Sequence, residues 1–333
     1  MDIRRLQKDF ITERTPLVLT VVIFLTVRLV LSEDWLSWQL WAATGIQITS
    51  AALLLSLTQV FLVIRQRTLL PAHLYLLFVG TTPRYFDDWL GSLMSLIILL
   101  CFYALFATYQ RSKSQMNALN ISILLTLGSF LWTPILYFLP LFWLGMYQFK
   151  SLNVRSFFAS WMGFVLIYFL IFTWGIVQNN LTIFVDALPT FDTEWNLDFS
   201  IFNLREWVIA GYLMFLFILA GGKIFMSGIS EKVRAITTLS YLYLFVIVVV
   251  CFFVLQTTTG YSWRLITYIP VSLLVAHYFT LSIRKWTASL FVFTFVVFIA
   301  SLVDNYIPLA TLFQQTIDFD GISNPIDNWF QNL

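Results

Sequence analysis

Charge is what this chain has least of. Its 333 residues hold 19 Lys and Arg, 17 Asp and Glu and 2 His, so 11% are charged while 59% are hydrophobic. Soluble domains carry about 25% charged residues. A water-soluble core of this length would lack the polar surface to cover it. A net charge of +2, with no basic stripe interleaved with aromatics, excludes a nucleic-acid partner. The two cysteines, Cys101 and Cys251, sit in separate apolar runs and read as small core hydrophobes. His73 and His277 have no Cys or carboxylate at ligand spacing, so no zinc, haem or other cofactor is expected. No hydrophilic stretch is long enough for an ATPase, kinase or sensor domain. Gly221-Gly222-Lys223 lacks the glycine spacing and following Ser or Thr of a phosphate loop.

What is abundant is apolar sequence. A helix needs about 20 such residues to cross the hydrocarbon layer. By that measure candidate spans fall near 16–32, 39–64, 69–82, 89–109, 117–132, 134–149, 156–178, 206–227, 235–256, 262–282 and 286–303. The expected fold is an all-α, polytopic membrane helix bundle of about eleven transmembrane helices. The basic stretch 1–15 precedes the first span and resembles a secretory signal. Leu31-Ser32-Glu33-Asp34 offers no small-x-small cleavage pattern, however, so retention as a span is expected. Segments 69–82, 117–132 and 134–149 are short, and each contains or adjoins a proline (Pro71, Pro134, Pro140), which favours broken or half-length helices. Segments 117–132 and 134–149 either both span or are re-entrant.

Charge supplies an independent test. With the N-terminus inside, eleven spans leave fifteen of the nineteen Lys and Arg in cytoplasmic loops and thirteen of the seventeen acids outside. Removing one span inverts every later loop; removing 117–132 and 134–149 together does not. The expected topology is N-in, C-out. It divides the chain into a basic cytoplasmic segment (1–15), a polytopic domain (16–303) and an acidic outer tail (304–333). Within the domain, 178–204 forms an acidic outer loop. Both acidic outer segments carry aromatics and are read as interfacial, or else as ordinary connecting loops.

Four arginines break the inside rule: Arg28, Arg84, Arg205 and Arg264. All map to the outer third, beside Glu33, Asp34, Asp87, Asp88 and Glu206. Arginine binds carboxylate or phosphate through a planar fork. Converging arginines would suit an anionic head group such as a lipid-linked phosphate, with Asp34, Asp87 or Asp88 as general base. The competing structural reading has Arg28 snorkelling towards Glu33 or Asp34, and Asp87 and Asp88 capping the next helix. Trp35, Trp38, Trp41, Trp89, Trp132, Trp174, Trp207 and Trp263 cluster near the same boundary as an aromatic belt. His73 and His277 lie within spans, as proton relays or as hydrogen-bonded packing residues.

Several stretches resemble an uncharacterised family of multi-spanning inner-membrane proteins of Bacteroidetes-type bacteria. They are Arg67-Thr68-Leu69-Leu70-Pro71-Ala72-His73-Leu74-Tyr75, Tyr137-Phe138-Leu139-Pro140, Asn153-Val154-Arg155-Ser156-Phe157-Phe158, and Ile269 to Phe279 with Pro270 and His277. The resemblance implies a bacterial inner membrane and carries no functional residues. In architecture alone the chain is also similar to polyprenyl-phosphate-dependent glycosyltransferases and envelope polysaccharide polymerases. Its first outer loop, Glu33 to Trp38, is far shorter than the loop that carries their catalytic acid. Three functions follow as expectations: a non-catalytic component of a cell-envelope assembly, a glycan enzyme using a lipid-phosphate substrate, and a transporter. Expected partners are membrane lipids and other envelope membrane proteins.

Overall fold

A computed structural model describes residues 3–32, 34–111, 113–180, 182–187, 204–226, 233–255, 262–282 and 284–306, and among them every regular element is helical. Among the described residues, eight helices are long and apolar enough to cross a membrane. They are α2 (Arg14–Leu31), α3 (Trp38–Phe61), α5 (Trp89–Phe106), α8 (Val154–Val177), α10 (Leu204–Met226), α11 (Val233–Leu255), α12 (Ser262–Leu281) and α13 (Lys285–Tyr306). Their ends lie within three residues of the runs expected from hydropathy. The chain is a multi-pass helical membrane protein. Shorter helices are α1 (Ile3–Thr12), α4 (Leu70–Gly80), α6 (Gln115–Ser129), α7 (Leu139–Gln148) and α9 (Thr182–Ala187), with 3-10 turns at Pro83–Tyr85 and Thr133–Phe138.

Local chemistry sets the helix starts. The Ser37 and Asp88 side chains accept from Leu40 N and Gly91 N at the heads of α3 and α5. Asn153 and Ser156 exchange side-chain and backbone bonds in a capping box that begins α8. Pro71, Pro134 and Pro140 occupy the first turns of α4, the second 3-10 turn and α7. There their missing N–H removes no intrahelical bond. These prolines start short helices; they do not break long ones.

The three expected short segments have paths that the contacts define. α4 is buried at every residue except Leu77, packed among α2, α3 and α12. It starts where Leu69 N donates to Ile11 O (2.9 Å), beside α1. The chain that follows it ends against Arg28, near the far end of α2. The α4 helix is about 16 Å long at 1.5 Å per residue, and non-helical chain supplies the rest of the traverse. Segments α6 and α7 form a hairpin whose ends meet: Ser114 Oγ donates to Ser151 O at 2.7 Å and Gln110 N to Phe149 O at 3.1 Å. The fifteen residues of α6 give about 22 Å of helix, short of the ~30 Å hydrocarbon layer. α6 lies tightly along α8, because Gly163 leaves room for Ser122 and the Leu119 carbonyl. Most of the acidic loop 178–204 and the tail from 307 onward lie outside the described residues.

Candidate functional site

Arg28 sits in the last turn of α2 and is 2% exposed. It does not snorkel. Beyond the end of α4, the chain from Thr81 to Asp88 is not α-helical, yet Tyr85 and Phe86 within it are buried, where bare carbonyls need donors. The guanidinium supplies the donors. Nη1 donates to Thr44 Oγ1 (2.6 Å) and Phe86 O (3.4 Å), and Nη2 to Tyr85 O (3.4 Å) and Gln47 Oε1. Gln47 Nε2 donates to Tyr85 O (3.2 Å) and to Ser92 Oγ (2.7 Å), whose hydroxyl donates to Asp88 O (2.7 Å). The Phe24 and Phe86 rings sandwich the cation, with centroids 4.5 and 4.8 Å from Cζ. Side chains from α2, α3 and α5 thus fasten one irregular stretch of backbone.

Tyr85 joins this cluster to a second one. Its ring is buried and meets Tyr268 of α12 edge-on, with centroids 5.9 Å apart at 83°. Arg264, one helix turn earlier in α12, acts electrostatically on both phenols. Its Nη2 lies 3.6 Å from Glu206 Oε2 at the head of α10. Arg28 and Arg264 therefore both address Tyr85, the first at its carbonyl and the second at its phenol, and the junction ties α2, α3, α5, α10 and α12 together at one end of the bundle.

The remaining candidates divide. Asp34 and Asp87 are exposed, and Asp87 acts on Arg28 through space. Asp88 caps α5, with Oδ1 accepting from Gly91 N at 2.7 Å. Arg84 lies on the 3-10 turn and Arg205 in the first turn of α10; their side chains, and Glu33, lie outside what is described. The expected Arg28–Asp34 pair does not form, because neutral acceptors at the same depth take the guanidinium instead. His73 is buried near the opposite end, its Nδ1 2.9 Å from Leu69 O and its ring 5.2 Å from Phe10. His277 is buried in α12 on the same side, with Lys223 as an electrostatic neighbour. Trp35, Trp38, Trp41, Trp174 and Trp207 are exposed at the Arg28 end, as belt residues would be. Among the described residues no three His, Cys, Asp or Glu are grouped to hold a metal ion.

Sequence reasoning passed over Thr44, Gln47, Tyr85 and Tyr268. A signal existed for two of them. Thr44 and Gln47 stand three apart in an apolar helix, so they share a face, and polar groups there need a partner. No family model, curated protein or solved structure matches the chain.

Proposed function

We propose that this chain is a non-catalytic component of a cell-envelope assembly in a bacterial inner membrane. One observation carries the reading: among the candidate groups whose side chains are described, Arg28, Asp88 and Arg264 are engaged within the protein itself. Arg28 closes on Tyr85 and Phe86, Asp88 caps α5, and Arg264 pairs with Glu206. An enzyme that grips a lipid phosphate needs such forks open to substrate. The inner-membrane setting rests on the sequence resemblance.

The topology belongs to the same proposal: eleven passes with N-in, C-out, the α6–α7 pair entering and leaving on the cytoplasmic side. Contacts at each end of the bundle support it. Gln7 bonds Phe279 O and Ser282 O, Ser114 bonds Ser151 O, and Arg234 reaches Phe106 O, all at the α1 end. Arg28 and the Glu206–Arg264 pair mark the other end. The loops that carry Arg65, Arg111, Lys150 and Arg284 then share the α1 end, which is the cytoplasmic face under the positive-inside rule.

Purification in a mild detergent from the native membrane tests the assembly. A stoichiometric membrane partner that survives size exclusion is expected, and a monodisperse single chain overturns the reading. The enzyme alternative has its own test. If a double Arg84→Ala, Asp88→Ala variant that still folds abolishes envelope glycan synthesis in a deletion strain, the enzyme reading replaces this one.

A further inference from the structure

At the end remote from Arg28, α1 lies against the bundle. Gln7, Phe10 and Ile11 turn inward, while Arg4, Arg5 and Lys8 are exposed. Specific contacts hold the inner face. Gln7 is fully buried, and its Nε2 donates to Phe279 O (2.7 Å) and Ser282 O (3.3 Å), satisfying carbonyls that the end of α12 leaves open. Phe10 packs edge-on against Phe291 (5.8 Å) and Phe295 (5.3 Å) of α13. Ile11 O accepts from Leu69 N. The basic edge of α1 is therefore displayed in a fixed place.

More cations are brought beside it. Ser282, which Gln7 holds, leads directly to Arg284 and Lys285, both exposed. On the other side Arg65 and Arg67, also exposed, precede the strand of chain that Ile11 holds. The Thr280 Oγ1 to Thr68 Oγ1 contact (3.5 Å) draws the two sides together. The only nearby acids on α1 or just after it, among the described residues, are Asp9 and Glu13. From Lys285 an exposed apolar face runs down α13. Trp286 (88% exposed), Phe293, Val296 and Ile299 recur at helical spacing down the outer face of α13.

We propose that this edge holds the headgroup of an anionic phospholipid. The phosphate lies among Arg5, Lys8 and Lys285, and the acyl chains lie along Val296 and Ile299, the exposed residues of α13 on the side of Lys285. Fixed cations above a lipid-facing stripe match both halves of such a molecule, and Trp286 sits at the boundary where an indole ring prefers to lie. Each basic residue near an anionic membrane surface strengthens binding about fivefold.

The test uses the delipidated full chain in mild detergent. Native mass spectrometry and thermal unfolding are read against phosphatidylglycerol, phosphatidylcholine of the same chains, and inorganic phosphate. Phosphatidylglycerol is expected to be retained and to raise Tm, with phosphatidylcholine doing neither. A triple Arg5→Ala, Lys8→Ala, Lys285→Ala variant should lose affinity for phosphatidylglycerol on the order of a hundredfold while keeping its lipid-free Tm, since these side chains are exposed. An Arg5→Lys, Lys8→Arg variant should bind as the wild type. Equal retention of the two lipids, or full binding by the triple variant, overturns the proposal. Stabilisation by inorganic phosphate alone overturns the lipid assignment in favour of a soluble anion. Should the triple variant fail to fold, Lys285→Glu on its own must still weaken phosphatidylglycerol relative to phosphatidylcholine.

Discussion

Arg28 stands one helical turn from the end of an apolar helix, where a charge is expensive unless something accepts it. What accepts it is backbone: Tyr85 O and Phe86 O, with Gln47 and Thr44 completing the set. Removing the cation leaves those carbonyls buried and unpaired. Arg28→Ala is therefore expected to destabilise the protein by about 1–3 kcal/mol for each acceptor left buried and unpaired. Arg28→Lys should recover only part of that, because an ammonium cannot address both carbonyls through a planar fork. Gln47→Leu is expected to cost about 1–3 kcal/mol. Thermal unfolding in one detergent ranks the three, and a fully stable Arg28→Ala would refute the fastening role. The charge itself was legible in the sequence as an arginine out of place. Its partner was not, because a carbonyl needing donors appears only once the chain after Gly80 is known to leave the helix.

Asp88 supplies the contrast at the same scale. Its carboxylate serves a helix start, so Asp88→Ala is expected to lose about 1 kcal/mol and Asp88→Asn very little. Asp87, exposed beside it, acts on Arg28 only through space, so Asp87→Asn should lower Tm less than Asp88→Ala does. If Asp87→Asn costs as much as Asp88→Ala, the division between capping and surface acid fails.

At the scale of elements, hydropathy located the eight long helices because an apolar run of that length has no other stable form in lipid. The short ones were visible too, at their prolines. Pro71, Pro134 and Pro140 open short helices, and the backbone that follows α4 is paired with Arg28 and Gln47. Helix contacts were the least legible feature, since they depend on where small residues meet. Gly163 against Ser122 and Leu119 brings α6 onto α8, and a Cβ there would lie 2.8 Å from the Leu119 carbonyl oxygen. Gly163→Ala should force the helices apart and lower Tm, and Gly163→Leu should prevent folding. Gly45 has nothing within 4 Å of its would-be Cβ. Gly45→Ala should therefore be neutral or gain about 0.5–1 kcal/mol from helix propensity. Equal effects at the two glycines would mean that α6 and α8 are not in close contact.

Over the whole molecule, one arrangement connects the basic collar, the Arg28 junction and the hairpin: they require that successive helices alternate in direction. α4 makes this a sharp demand. Eleven residues of helix plus an irregular stretch must carry the chain from the Ile11 end to the Arg28 end, or every later loop changes side. Two exposed positions bracket that traverse, Leu36 before it and Arg111 after α5. Because Cys251 is exposed and Cys101 is buried, replacing Cys251 by Ser leaves a background with little accessible thiol. In intact cells a membrane-impermeant maleimide should then label Leu36→Cys at once and Arg111→Cys only after permeabilisation. If α4 did not complete its crossing, α3 and α5 would run in opposite directions and Arg111→Cys would be labelled from outside as Leu36→Cys is. Arg28 would then have no reason to meet Tyr85, since the carbonyls it fastens arrive at its depth only because the chain has come across.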